Sequence, residues 1–227
     1  MKSQTLVIIP AYNEEKFLTS VLQRVRSEGF SHIVVVNDGS KDKTEKIAQH
    51  FGATVLSHVL NRGAGAATRT GIDWGLCHDF KFFLTLDADD QHDPTDFFRF
   101  LEALKDHDFV LGSRFLQKNN FPVLKLLANK MANFLTGFFF HVWVSDSQSG
   151  IRGFSRKVAE QVHGLSDGFE FCSDFLREVQ ENGFSIFEVP VSVSYSPYSK
   201  GKGQNFSHGL KTGLKIFLRS ISGNKFL

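Results

Sequence analysis

A single α/β domain built on a mostly parallel sheet is the fold this 227-residue sequence predicts, and three observations carry it. Short apolar runs rich in β-branched residues alternate with segments of helical periodicity through the first half of the chain. The intervals between runs are long enough for crossover helices, which is how parallel strands are joined. Four of the runs end directly on polar, turn-forming segments, and in open parallel sheets ligands bind outside those carboxyl ends.

The elements follow in order. Thr5 to Ile9 reads as a buried strand, and Glu14 to Glu28 as a helix with apolar Phe17, Leu18, Val21, Leu22 and Val25 on one face. Ile33 to Val36 is a second strand, Thr44 to Phe51 a helix, and Ala53 to Leu56 a short third strand. Ala64 to Cys77 is a helix after a Gly-rich turn, and Phe82 to Leu86 a fourth strand running into Asp87. Pro94 to Leu104 is a helix with Pro in its first turn, capped by Asp93, and Phe109 to Leu111 a fifth strand. Helices are predicted over Pro122 to Phe140, Ser155 to Val162 and Phe171 to Glu181, then two extended runs around Pro190 between Ser185 and Tyr195. A Gly- and Lys-containing loop spans Tyr198 to Gly209, and a basic amphipathic helix, Leu210 to Ile221, closes the chain. No repeat or linker divides residues 1–227 into domains.

Composition narrows the function classes. A net charge of +2 lacks the basic excess of a general nucleic-acid binder. Cys77 and Cys172 have no metal-ligand spacing and exclude a disulfide scaffold, which points to a reducing cytoplasm. The run Leu6 to Ile9 is too short for a signal peptide, and no stretch of about 18 uncharged apolar residues exists to span a membrane. The longest apolar run, Phe134 to Val144, contains His141.

The chemistry-bearing residues lie at the predicted strand ends. Asp87 and Asp89, with small Ala88 between them, can reach a common hard cation, and Gln91 can add a carbonyl oxygen. The alternative for such acidic residues is capping of the next helix. In Pro10-Ala-Tyr-Asn-Glu14, Tyr12 offers a stacking face and Glu14 a hydrogen-bond acceptor for a base or ribose; a plain helix entry explains the same residues. Asp38 in Asn37-Asp-Gly-Ser40 is a further acceptor, or part of an ordinary turn. The glycines of Asn61-Arg-Gly-Ala-Gly65 permit close backbone approach at a helix start on the ligand edge. The absence of a Gly-Lys-Ser/Thr ending argues against a nucleoside triphosphatase.

Taken together and in order, Ile9 to Glu15, Val36 to Ser40, Asn61 to Gly65, Asp87 to Gln91, Gly112-Ser-Arg114 and Asp146 to Arg152 resemble a family 2 glycosyltransferase of the GT-A fold. The similarity is greatest to the dolichyl-phosphate mannosyltransferase and polyprenyl-phosphate glycosyltransferase group and covers residues 4–210. It implies that Pro10, Tyr12, Glu14 and Asp38 hold the nucleoside of a nucleotide-sugar donor of the GDP-mannose or UDP-glucose type. It implies that Asp87, Asp89 and Gln91 hold Mg2+ or Mn2+ on the donor diphosphate, with Ala88 a donor contact, Arg114 near the phosphates and Asp89 a catalytic candidate. The family often has Asp where Asn37 stands.

On the acceptor side, the resemblance aligns Lys125 and Asn129 with residues that contact a polyprenyl phosphate, and Phe134 to Val144 with an interfacial helix. Lys200, Lys202 and His208 fall where the family has a basic lid over the diphosphate. Asp174 matches a base used when the acceptor is a hydroxyl, and Asp146 is expected to order its loop with Arg152 or a neighbouring amide. The implied reaction is inverting transfer to a polyprenyl phosphate by a peripheral protein on the cytoplasmic face of a membrane, with room for a small anchoring subunit. Phe134 to Val144 and the final helix, carrying Lys211, Lys215 and Arg219, would together form its membrane face, although core packing explains both segments too. Transfer to a hydroxyl of a glycan or lipid, and a catalytically silent nucleotide-sugar-binding subunit, remain the alternatives.

Overall fold

The structure, a computed structural model, describes residues 1–117, 123–168 and 170–194, with backbone only for 123–125. Strands are β1 (Thr5–Ala11), β2 (Ile33–Asn37), β3 (Thr54–Ser57), β4 (Phe82–Thr85), β5 (Phe109–Ser113), β6 (Arg152–Ser155) and β7 (Ile186–Pro190). Helices are α1 (Leu18–Ser27), α2 (Thr44–His50), α3 (Ala64–Leu76), α4 (Phe97–Ala103), α5 (Val123–Phe140), α6 (Arg156–Ala159) and α7 (Phe171–Glu181). The strands form one seven-stranded sheet in the order β3-β2-β1-β4-β6-β5-β7. All neighbours are parallel except β6, which runs antiparallel between β4 and β5.

The strand sequences are apolar on both faces because both faces are covered. Val7 and Ile9 of β1 pack with Leu18, Leu22 and Val25 of α1 and with Phe97 and Phe100 of α4. Leu6 and Ile8 face the opposite cluster with Ala67 and Ile72 of α3 and Phe175 of α7. Much of the aromatic content stacks there: Phe83 lies 5.5 Å from Phe154, which meets Phe175 edge-on at 5.1 Å.

Three expectations change. The first helix begins at Leu18 rather than Glu14, because Phe17 and Leu18 both donate to the Glu14 carbonyl and close a turn ahead of it. The helix expected over Ser155 to Val162 is only the short α6, preceded by the unexpected strand β6. Arg152 and Gly153 hid that strand. Gly153 lets β6 pack closely there, since a Cβ would press on Leu84 and Phe100, each at 3.0 Å. The two runs around Pro190 become β7 and a segment whose Val193 makes an isolated bridge to His92. Helix α5 matches its predicted span closely, and no described helix is long and apolar enough to cross a membrane.

Candidate active site

The register brings the polar segments together. Ala11 pairs with Asn37, Ile8 with Thr85, and Arg152 with both Thr85 and Leu111, so β1, β2, β4 and β5 end on one edge. Antiparallel β6 starts where those strands stop, which delivers residues 146–151 to the same edge.

Asp87 and Asp89 leave β4 there. Asp87 is exposed to solvent at this edge, and the protein packed around it partly desolvates its carboxylate. That desolvation, then the charge of Asp89, pushes its pKa up to about 6 against the opposing pull of Arg152 and Arg114. Gly150 leaves the space this carboxylate fills, since a Cβ there would overlap it. Gln91 donates to Asp89 through its side-chain amide and, at 3.2 Å, through its backbone N–H. The amide nitrogen therefore faces Asp89, so Gln91 orients that carboxylate. Among the described residues no group of three or more His, Cys, Asp or Glu side chains is arranged around a metal. Two clustered carboxylates, one already desolvated, nonetheless suit a hard divalent cation that takes its other oxygens from water and a bound diphosphate. Asp90 is turned away into the left-handed region at φ 59° and is fixed to α1 by Ser20 and Arg24 at 2.9 and 2.8 Å. Asp93 caps the turn before α4 by accepting from the Thr95 N–H.

Beyond β1, Tyr12 is exposed and Pro10 half-buried, while Glu14 is buried close enough to Asp87 to raise its pKa. Asn37 donates to Glu45 and Ser57 and accepts from the Ser40 N–H, so it orders its turn. Asp38 is buried, and its oxygens accept from the Arg62 and Gly63 N–H groups at 2.9 and 2.8 Å while His58 Nδ1 lies 2.6 Å away. Ala88 is a core residue, packed with Leu86 and Ile9, which leaves only its backbone to a ligand.

The Gly-rich turn does admit a close backbone approach, but by the protein's own chain. The first N–H groups of α3, on Gly65 and Ala66, donate to the Asp167 carbonyl. A Cβ at Gly63 or Gly65 would strike Asp167 or Ser166, and Gly63 holds φ 108°. Arg69 fastens the same segment through Leu165 and Asp167. The expectation that this helix start is open to a ligand is corrected: segment 165–168 covers it. Asp174 belongs to that arrangement, buried on α7 with the Ser166 N–H and hydroxyl donating to it.

Arg114, just past β5, is forked onto Asp146: Nε and Nη2 donate at 2.6 and 2.7 Å, and its backbone N–H at 3.0 Å. Asp146 thus orders its loop with Arg114 and not with Arg152, because Arg152 leaves β6 on the face beneath α7. There it is fully buried, 5.0 Å over the Phe171 ring and 5.7 Å over Phe175. None of its guanidinium nitrogens meets an oxygen or nitrogen acceptor among the described residues, and the Cys172 thiol lies beside it. His92, nearby, is held neutral: burial, then the charge of Arg114, lowers its pKa to about 3.

Lys125 and Asn129 lie on α5, Asn129 half-buried. On the same helix Leu127, Met131, Phe134 and Phe138 are each between 57% and 59% exposed, and Trp143 beyond it 70%. Thr136 and Gly137 face inward, and the Trp143 ring lies against Gly137. Lys200, Lys202, His208 and the helix expected over 210–221 lie outside the described residues. Sequence reasoning missed His58, Asn133 and Glu188, single polar residues that bond to segments distant in sequence.

Comparison with known proteins bears on the family and the fold. The profile of Glycosyl transferase family 2 matches residues 6–162. A polyprenol monophosphomannose synthase of Mycolicibacterium smegmatis is 34% identical, over 91% of this chain and 84% of its own. A UDP-N-acetylglucosamine–dolichyl-phosphate N-acetylglucosaminyltransferase of Methanococcus voltae is 32% identical, over 95% of this chain and 94% of its own. Among solved structures, glucosyl-3-phosphoglycerate synthase from Mycobacterium tuberculosis, in complex with Mn2+, UDP and glucosyl-3-phosphoglycerate, superposes with a TM-score of 0.76 at 17% identity, covering 96% of this chain and 79% of that one.

Proposed function

The chain belongs to glycosyl transferase family 2 and has the GT-A fold, and from that premise we propose that it transfers a sugar, with inversion, from a nucleotide-diphosphate sugar to a polyprenyl phosphate. The observation that carries the donor half is the Asp87–Asp89 pair at the end of β4, one member desolvated and the other oriented by Gln91. A divalent cation held by these carboxylates would neutralise the donor diphosphate and the departing nucleotide. Tyr12 and Glu14 receive the nucleoside beside β1. Asp38 acts one step back, fixing the 62–63 backbone beside the proposed nucleoside site. Arg114, held in place by Asp146, is assigned to the phosphate side.

The acceptor half rests on the relatives' polyprenyl and dolichyl phosphate substrates and on α5. Its exposed apolar stripe lies on the helix that carries Lys125 and Asn129. A polyprenyl chain leaves the bilayer only at a cost of about 0.8 kcal/mol per exposed methylene, so the protein must come to the membrane surface. The stripe enters the interface there, while Lys125, a point charge, meets the lipid phosphate. We infer that the protein works at the cytoplasmic face of that membrane. A phosphate acceptor is already anionic and needs no strong base, which agrees with Asp174 being engaged by Ser166.

A thermal-shift panel tests the donor half. A nucleotide sugar at about 100 times its dissociation constant stabilises by about 2.7 kcal/mol. Stabilisation by GDP-mannose or UDP-glucose that requires Mn2+ or Mg2+ and disappears in Asp89→Asn is expected. No metal-dependent stabilisation by any nucleotide sugar would overturn the reading.

A further inference from the structure

We propose that Asn133 is a positioning residue that sets Arg114 from the acceptor helix, an inference that rests on the phosphate-side role given to Arg114 above. Lys125, Asn129 and Asn133 are spaced four apart on α5 and so share one face of it. Asn133 reaches across to segment 145–147 and brackets Asp146 from both sides. Its Nδ2 donates to the Ser145 carbonyl at 2.5 Å, and its Oδ1 accepts from the Ser147 N–H and hydroxyl, each at 2.8 Å. Between those two anchors, Asp146 is fully buried and takes the Nε, Nη2 and backbone N–H of Arg114.

The opposite side of the segment is held independently. Both oxygens of Glu188 on β7 accept from the Ser145 N–H, at 3.0 and 3.1 Å, and the Ser145 hydroxyl donates to Glu188 at 2.7 Å. Glu188 fixes the segment to the sheet, whereas Asn133 fixes it to α5. A primary amide is the side chain that can donate to one residue and accept from the next but one in this span. Asp at 133 would turn an oxygen toward the Ser145 carbonyl, and Leu would fill the volume with neither bond. A displacement of α5 by a lipid phosphate is therefore transmitted through Asn133 and Asp146 to the guanidinium of Arg114. Acceptor binding and donor-phosphate contact become one coupled arrangement.

The test reads Arg114 directly. In protein labelled with 15N-arginine, the Arg114 Nε–H is identified by its loss in Arg114→Lys, and its hydrogen bond to Asp146 makes it slow to exchange. Asn133→Leu is expected to speed that exchange about tenfold, the equivalent of one or two lost hydrogen bonds, while the other arginine resonances stay in place. In transfer assays Asn133→Leu should cost about tenfold in wild type but less than about twofold on an Asp146→Asn background, because both act through the same guanidinium. If Asn133→Leu does not fold, Asn133→Asp, which keeps an acceptor for Ser147, takes its place with the same expectations. An unchanged Arg114 Nε–H in a folded variant, or equal losses of transfer in both backgrounds, would overturn the proposal. If wild type transfers sugar to no polyprenyl phosphate, the acceptor reading fails, and the Arg114 resonance still decides the role of Asn133.

Discussion

His58 Nδ1 lies 2.6 Å from Asp38 Oδ1, and its Nε2 lies 2.9 Å from the Thr70 hydroxyl, so one imidazole joins the turn after β2 to helix α3. The same carboxylate holds the N–H groups of Arg62 and Gly63. His58→Ala is expected to destabilise the fold by about 1–2 kcal/mol, since the buried Asp38 carboxylate and the partly buried Thr70 hydroxyl each lose one hydrogen bond. It should also weaken nucleotide affinity more than turnover. Chemical denaturation together with saturation kinetics checks both, and unaltered nucleotide affinity in the variant would detach Asp38 from the donor site.

Asp87 gives a prediction of opposite sign for stability and for ligand binding. Its folded pKa of about 6 lies above the ordinary aspartate value of 3.8, so its ionised form is disfavoured by folding. The resulting penalty is absent below about pH 4, grows between the two values and is complete above about pH 6. In metal-free buffer at pH 7.5, Asp87→Asn should therefore melt at or above the wild-type temperature. The rise in melting temperature that Mn2+ and a nucleoside diphosphate give the wild type should be lost. A variant that melts lower without metal yet keeps the full ligand-induced rise would place the cation elsewhere.

The exposed stripe on α5 should bind lipid at no cost to the fold. Phe134 and Phe138 stack 5.9 Å apart and are more than half exposed, so replacing both with Ser should change stability by less than about 0.5 kcal/mol each. Sedimentation with liposomes containing anionic lipid should fall several-fold while donor binding is retained. Equal sedimentation of the double variant and wild type would remove this face from the membrane contact.

Strand and site legibility have separate physical origins. β1, β2, β4 and β5 could be read because a strand covered on both faces is an unbroken apolar run, and Asp87 and Asp89 because they interrupt such a run at its end. β6 could not, since an arginine and a glycine occupy half of its four positions and its burial depends on α7 and β4. The start of α1 was misread because periodicity ignores the local turn at Glu14. The Gly-rich turn signalled close backbone approach correctly, but the approaching chain is residues 166–168. The pairing of Arg114 with Asp146 spans 32 residues and that of Asn133 with Ser147 spans 14, and no local pattern shows that either pair meets.

Direct transfer measures the central claim. Purified protein is given labelled GDP-mannose or UDP-glucose, Mn2+ and a polyprenyl phosphate in mixed micelles, and the lipid phase is assayed for sugar. The expected result is a lipid-phosphate sugar formed by wild type, stopped by chelation of the metal and reduced at least a hundredfold in Asp89→Asn, about 2.7 kcal/mol of transition-state stabilisation. Efficient transfer to a water-soluble hydroxyl acceptor with none to the lipid phosphate, or undiminished transfer in Asp89→Asn, would contradict it.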